Sequence, residues 1–124
     1  IKVIEQVGEG IVELIENGKL FSEEMKAQLS IYLKPMIDAD IDYLVLGCTH
    51  YPYLMPLLVE LLPDHVKIID SGEAVARQTK AVLEKYDLIN NSKGKATCQF
   101  FTNGSPEVMT ALLDDKFEVK HLIF

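Results

Sequence analysis

The chain is poor in the features that mark several common protein classes. It has only two cysteines, Cys48 and Cys98, among 124 residues. Two cysteines are too few for a disulfide framework and are typical of reduced thiols in a cytoplasmic protein. No apolar run approaches the ~20 residues that span a bilayer, and the first four residues, Ile-Lys-Val-Ile, show no secretory pattern. We therefore predict a cytoplasmic protein without a membrane partner.

The sequence also lacks clusters of basic residues and motifs that bind metals or phosphate. The 12 basic and 19 acidic residues form no basic stripe, so we expect no nucleic-acid partner. No Cys/His cluster has the spacing of a zinc site, and no glycine-rich phosphate loop is present. The hydrophobic content of 48% over 124 residues is instead sufficient for the core of one ordinary domain. We predict no metal site and expect the acidic charge to reflect solubility.

Two helices are predicted at the start of the chain. Val7, Ile11, Leu14 and Ile15 are spaced along one helical face, and a glycine at position 18 is placed as a C-terminal cap. A second helix is predicted to begin after Ser22, whose side chain is suited to the N-cap position. Its proline at position 35 is expected to kink this helix or end it early.

Strands and helices alternate through the rest of the chain. Strands are predicted at 40–47, 66–70, 96–102 and 117–124, and helices begin near Pro52, Gly72 and Ser105. A polar stretch at 90–95 is expected to be a loop. Asp70 and Ser71 are interpreted as helix caps, and Cys98 as a core residue on a strand. The order predicts an α/β fold with a largely parallel sheet and flanking helices.

The most informative segment is 44–52, with the sequence LVLGCTHYP. Its apolar start is typical of a parallel strand covered on both faces, and its proline fits the first turn of a helix. The segment therefore places Cys48 at the carboxyl end of a strand, where ligands of open α/β sheets usually bind. Free N–H groups at the following helix favour a bound carboxylate and a thiolate. The alternative is that Cys48 is a small core residue and His50 an ordinary loop histidine.

The segment 46–52 closely resembles the second signature of the glutamate racemases, in the aspartate/glutamate racemase superfamily. The segment 10–18 resembles the part of these enzymes that carries an acidic residue of their site, and 68–72 resembles the strand end that follows the signature. A histidine two residues after the cysteine favours glutamate, because related aspartate racemases usually have an acidic residue there.

The resemblance implies a function for four residues. Cys48 corresponds to one of two thiols that remove and return the α-proton of glutamate on opposite faces. His50 corresponds to its helper, Glu16 to the acidic residue that orients the histidine, and Thr49 to a residue that binds the substrate carboxylate. The resemblance further implies that no pyridoxal phosphate, metal or nucleotide cofactor is used, and that the intact enzyme supplies D-glutamate for peptidoglycan.

The resemblance covers only part of such an enzyme. Glutamate racemases have two α/β domains, and this chain lacks the Cys-Asn-Thr motif of their amino-terminal half. We therefore expect 1–78 to be part of the carboxy-terminal catalytic domain and 79–124 to complete the absent amino-terminal domain. Apolar strands in this tail are expected to seek partners, which predicts a homo-oligomer or local disorder. Another aspartate or hydantoin racemase and a non-catalytic α/β binding module stay open as alternatives.

Overall fold

The computed structural model describes residues 1–92 and 94–124. Of the loop predicted at 90–95, Lys93 lies outside the described residues. Five helices span Ile11–Glu16 (α1), Glu23–Asp38 (α2), Met55–Leu61 (α3), Gly72–Lys85 (α4) and Pro106–Leu112 (α5), and a short 3₁₀ helix spans Tyr51–Leu54. Four strands span Tyr43–Val45 (β1), Lys67–Ile69 (β2), Phe100–Thr102 (β3) and Val119–His121 (β4).

Helix α1 is delimited by glycines at both ends. It begins at Ile11, later than the predicted face that included Val7, because Gly10 has a left-handed φ of 76° that a continuous helix does not accept. At its other end Gly18 also has a positive φ, of 71°. The Lys19 N–H donates to the carbonyl of Leu14 at 2.8 Å, which is the bond that defines a Schellman motif. The predicted cap at Gly18 is therefore confirmed.

Helix α2 begins where predicted but does not end early. The Ser22 hydroxyl accepts a bond from the Met25 N–H at 3.1 Å, as an N-cap does. The helix continues three residues past Pro35 to Asp38, so the expectation of an early end is wrong. Proline removes a single N–H donor in this last turn, and Ile37 beyond it packs against the core.

The α/β class with parallel strands is confirmed, and the strands are divided between two sheets. Strand β1 pairs in parallel with β2, and β3 pairs in parallel with β4. Each strand is three residues long, shorter than predicted. Both pairs have a helical crossover between their strands, as parallel pairing requires.

One core lies between α1, α2, α3 and β1, with Leu112 of α5 packed against its margin. Its three most deeply buried large side chains are Ile11, Ile15 and Met25. The buried set is apolar throughout: Ile11, Leu14, Ile15, Met25, Leu29, Leu33, Leu44, Leu46, Leu54, Leu57, Leu58 and Leu62. This core holds the carboxyl end of β1 beside the carboxyl end of α1.

The prediction that β1 is covered on both faces is wrong. Leu44 is buried, but Tyr43 and Val45 on the opposite face are exposed, Val45 to 67%. Helix α4, which follows β2, has no buried residue and so does not cover this face. Apolar side chains of β1 are thus left open to solvent in the chain alone.

The region after α4 is also largely uncovered. Cys98 is exposed and precedes β3, so the prediction that it is a core residue on a strand is wrong. Strand β3 has one neighbouring strand, and Phe100 packs on Phe117 with ring centroids 4.8 Å apart. Ser105 caps α5 as predicted, accepting from the Val108 N–H at 3.2 Å. No helix in the described residues is long and apolar enough to cross a membrane.

Candidate functional site

The segment that carries Cys48, Thr49 and His50 is a turn with both ends anchored in the core. Before it, the buried Leu46 donates its N–H to the Ile69 carbonyl at 2.8 Å, which extends the pairing of β1 with β2. After it, the Tyr51 N–H donates to the Cys48 carbonyl at 3.2 Å. The three chemical groups therefore occupy a short, fixed connection at the carboxyl end of β1.

The thiol of Cys48 is half-buried, while Thr49 beside it is exposed. Within the described part of the chain the thiol takes part in no hydrogen bond, so it is free to approach a ligand. Gly47 precedes it, and a Cβ added there would meet no atom within 4 Å. The turn thus presents a thiol and a hydroxyl to open space.

His50 is held through both of its ring nitrogens. Its Nε2 lies 3.2 Å from Oε1 of Glu16, and its Nδ1 lies 3.4 Å from the Thr49 hydroxyl. A neutral ring satisfies both contacts when Nε2–H donates to the carboxylate and Nδ1 accepts from the hydroxyl. A protonated ring keeps the Glu16 contact as an ion pair. In either state the carboxylate fixes the orientation of the imidazole.

Glu16 reaches the histidine because of where α1 ends. It is the last residue of the helix, directly after the fully buried Ile15. Core packing of α1 therefore places this carboxylate at the turn that carries His50, although its side chain is 63% exposed. Glu13 lies one turn earlier and has no contact with His50 within the described structure. The predicted residues Glu16, Thr49 and His50 are thus brought together beside Cys48.

Tyr51 and Gly8 belong to this region and were not predicted from the sequence. The Tyr51 hydroxyl donates to the Gly8 carbonyl at 3.5 Å. Burial raises the pKa of Tyr51, and the nearby charge of Cys48 raises it further. Because Gly8 is 43 residues away in sequence, nothing in the local sequence pattern signals this contact. Only the position of Tyr51 next to His50 draws attention to it.

In the turn before α4, the side chain of Asp70 contacts the start of the helix. The Gly72 N–H donates to Oδ1 of Asp70 at 2.7 Å, as predicted for a capping aspartate. Ser71 occupies the N-cap position but makes no side-chain cap bond, so the prediction that its side chain caps α4 is wrong. Residues 1–92 and 94–124 contain no group of three metal-ligating side chains. The turn after β1 offers a thiol, a hydroxyl and an oriented imidazole.

The chain is similar to known proteins. The chain is 45% identical over 114 residues to a glutamate racemase from Pseudomonas putida, a match that covers 91% of the chain and 42% of the relative. No family model matches the chain.

Solved structures give the same result. The chain superposes on a glutamate racemase isoform, RacE1, from Bacillus anthracis with a TM-score of 0.79 and 25% identity, covering all of this chain and 47% of that one. A glutamate racemase from Escherichia coli, solved with L-glutamate and the activator UDP-MurNAc-ala, superposes with a TM-score of 0.66 and 29% identity over 91% of this chain and 44% of its own. The chain spans less than half the length of these relatives, and the predicted resemblance to part of a glutamate racemase is confirmed.

Proposed function

Because the chain corresponds to somewhat less than half of a glutamate racemase, we propose that it supplies one of the two acid/base groups with which the intact enzyme interconverts L- and D-glutamate. Cys48 is this group. The observation that carries the proposal is the half-buried thiol at the end of β1, next to a histidine whose ring Glu16 holds at 3.2 Å. The product of the intact enzyme, D-glutamate, serves peptidoglycan synthesis.

The reaction needs two groups because the proton leaves one face of the α-carbon and returns to the other. As a thiolate, Cys48 takes the α-proton and becomes a thiol, leaving a planar carbanion. A thiol on the opposite face then gives its proton to the carbanion and becomes a thiolate. At Cys48 a C–H bond breaks and an S–H bond forms, and at the second thiol an S–H bond breaks and a C–H bond forms, so no oxidant, reductant or cofactor is consumed. In the reverse direction the two groups exchange roles.

The neighbouring residues support this proton transfer. Thr49 is exposed beside the thiol, where its hydroxyl and N–H are suited to bind a substrate carboxylate. His50 stabilises the thiolate or carries charge as the proton moves. Glu16 acts through His50, as a carboxylate that orients an imidazole does in many sites. We therefore assign Glu16 as a positioning residue.

The second thiol belongs to a part of the enzyme outside this chain. We propose that 1–78 is part of the carboxy-terminal catalytic domain and that 79–124 completes the amino-terminal domain. The exposed faces of β1 and of the region after α4 support this division, because each is an apolar surface without a cover in the described residues. Glutamate then binds between the two thiols when the halves meet.

The test is racemisation of glutamate followed by circular dichroism. We expect negligible activity from the chain alone and activity when it is mixed with a separately produced amino-terminal half of a glutamate racemase. Cys48→Ala in the mixture should lower the rate by about a thousandfold or more, as loss of a catalytic acid/base does. Cys98→Ala is the matched control, and we expect it to keep the rate because Cys98 is exposed and lies outside the turn.

Three outcomes would contradict the proposal. If folded halves associate but racemise no glutamate, while they racemise aspartate or a hydantoin, the substrate assignment fails. If they racemise none of these, the site is that of a non-catalytic binding module. Full activity of Cys48→Ala would show that another group removes the proton.

A further inference from the structure

A pair of tyrosines holds the segment that leads into α1. The Tyr32 hydroxyl donates to the Glu9 carbonyl at 2.9 Å, and the Tyr51 hydroxyl donates to the adjacent Gly8 carbonyl at 3.5 Å. Tyr32 comes from α2 and Tyr51 from the 3₁₀ helix, so two separate elements grip consecutive residues. We call Tyr32 and Tyr51 the tyrosine clamp.

The Tyr51 hydroxyl lies close enough to Gly8 to restrict which residue can occupy position 8. A Cβ added to Gly8 would overlap the Tyr51 hydroxyl oxygen. The same Gly8 carbonyl accepts the Ile11 N–H at 3.3 Å, so one oxygen joins the clamp to the first turn of α1. Gln28 also donates to the Glu9 carbonyl. The start of α1 is thereby fixed by side chains from outside the helix.

Helix α1 needs such support because it is weakly determined by itself. It has six residues, and its N-cap, Gly10, offers no side-chain bond. Isolated helices of this length are unstable in water, so tertiary contacts set their position. The clamp acts at one end of α1, and Glu16 is the last residue at the other.

These contacts close a ring around the catalytic turn. Tyr51, which follows His50 in the chain, donates a hydrogen bond to Gly8 just before α1. Glu16 at the other end of α1 lies 3.2 Å from His50. We expect a change at the clamp to shift the start of this short helix, whose other end carries the Glu16 carboxylate. We propose that the tyrosine clamp positions Glu16 against His50, an inference that rests on the proposed role of His50 and Glu16 at Cys48.

The test measures access to His50 in the chain alone, without substrate. Diethyl pyrocarbonate modifies imidazole nitrogens that are not engaged, and peptide mass mapping gives a rate for each histidine. Glu16→Ala should speed modification of His50 by about threefold, as loss of an exposed ion pair or hydrogen bond allows. The variants Tyr32→Phe, Tyr51→Phe and Gly8→Ala should each reproduce part of this increase, and the double tyrosine variant most of it.

Two controls separate positioning from general loosening. Tyr53 lies in the same 3₁₀ helix, and its hydroxyl makes no hydrogen bond in the described part of the chain. Tyr53→Phe should therefore leave the modification rate of His50 unchanged. His65 serves as an internal reference, because its contact is with Asp40 and it should react at a constant rate. In a Glu16→Ala background the clamp variants should cause no further increase in the modification rate of His50. If the clamp acts only through Glu16, its effect is lost once Glu16 is removed.

The proposal is overturned if the clamp variants react at the parent rate, if His65 accelerates in parallel, or if their effects add fully to that of Glu16→Ala. It is also overturned if Glu16→Ala leaves the modification rate of His50 unchanged, because Glu16 then does not protect His50 and its position has no effect there. None of these results bears on the mixing assay with Cys48→Ala, so failure here is distinct from failure of the proposed racemase function.

Discussion

Oε1 of Glu16 lies 3.2 Å from Nε2 of His50, although the two residues are 34 positions apart in the chain. The contact joins the carboxyl end of α1 to the turn that follows β1. A carboxylate in this position selects the ring nitrogen that carries the proton and holds the plane of the imidazole. The site next to Cys48 is therefore assembled from two segments that meet only in the folded chain.

The first prediction concerns this contact in the reconstituted enzyme. Glu16→Ala should lower kcat for glutamate racemisation by about tenfold, toward the low end for a residue that orients a catalytic partner, because the carboxylate is partly screened by solvent. KM should change little, since Glu16 is proposed to act through His50 and not on the substrate itself. Glu13→Ala, on the same helix but without the His50 contact, is the control. Equal losses in the two variants would exclude an orienting role for Glu16.

The second prediction concerns stability at high pH. Burial and the charge of Cys48 raise the pKa of Tyr51 above its ordinary value, which is about 10. The native state then keeps its proton where the unfolded state loses it, so this contribution is present below about pH 10 and is lost as the pH rises further. Urea unfolding at pH 8 and pH 10.5 should show a smaller decline for Tyr51→Phe than for the parent chain. An equal decline would contradict the prediction.

The third prediction concerns the core that supports the site. Leu58 in α3 is 2% exposed, whereas its neighbour Val59 is 66% exposed. Leu58→Ala should reduce the free energy of unfolding by about 2–4 kcal/mol through lost burial and a residual cavity. Val59→Ala should change it by less than about 0.5 kcal/mol. Urea denaturation followed by far-ultraviolet circular dichroism measures both, and similar losses would place this face of α3 outside the core.

The fourth prediction concerns the carboxyl-terminal tail. Ile123 and Phe124 are 85% and 79% exposed, and apolar ends of this kind favour association. We expect the chain alone to sediment as oligomers in analytical ultracentrifugation. Replacing both residues by lysine should shift the distribution toward monomer, whereas lysines at the polar positions Thr97 and Gln99 should shift it less. A well-ordered monomer of the parent chain would refute this prediction.

Several local features could be predicted from the sequence because their chemistry spans only a few residues. Ser22 and Ser105 cap helices through N–H groups three positions later, and Gly18 ends α1 through bonds to the preceding turn. The segment that contains Cys48 was located by its own residues and by resemblance. Such features depend on neighbours in the chain, so the sequence displays both partners side by side.

Other features were decided by tertiary structure. Val45 and Cys98 have the sequence pattern of covered positions but are exposed, because burial depends on which distant segment packs against them. The contact of Glu16 with His50 and that of Tyr51 with Gly8 likewise require packing of α1 against β1 and the 3₁₀ helix. The sequence by itself determined the types of element, the caps at Ser22, Gly18 and Ser105, and the chemical groups of the turn. The tertiary structure decided which faces are covered and which distant side chains meet those groups, since both depend on contacts between residues far apart in the chain.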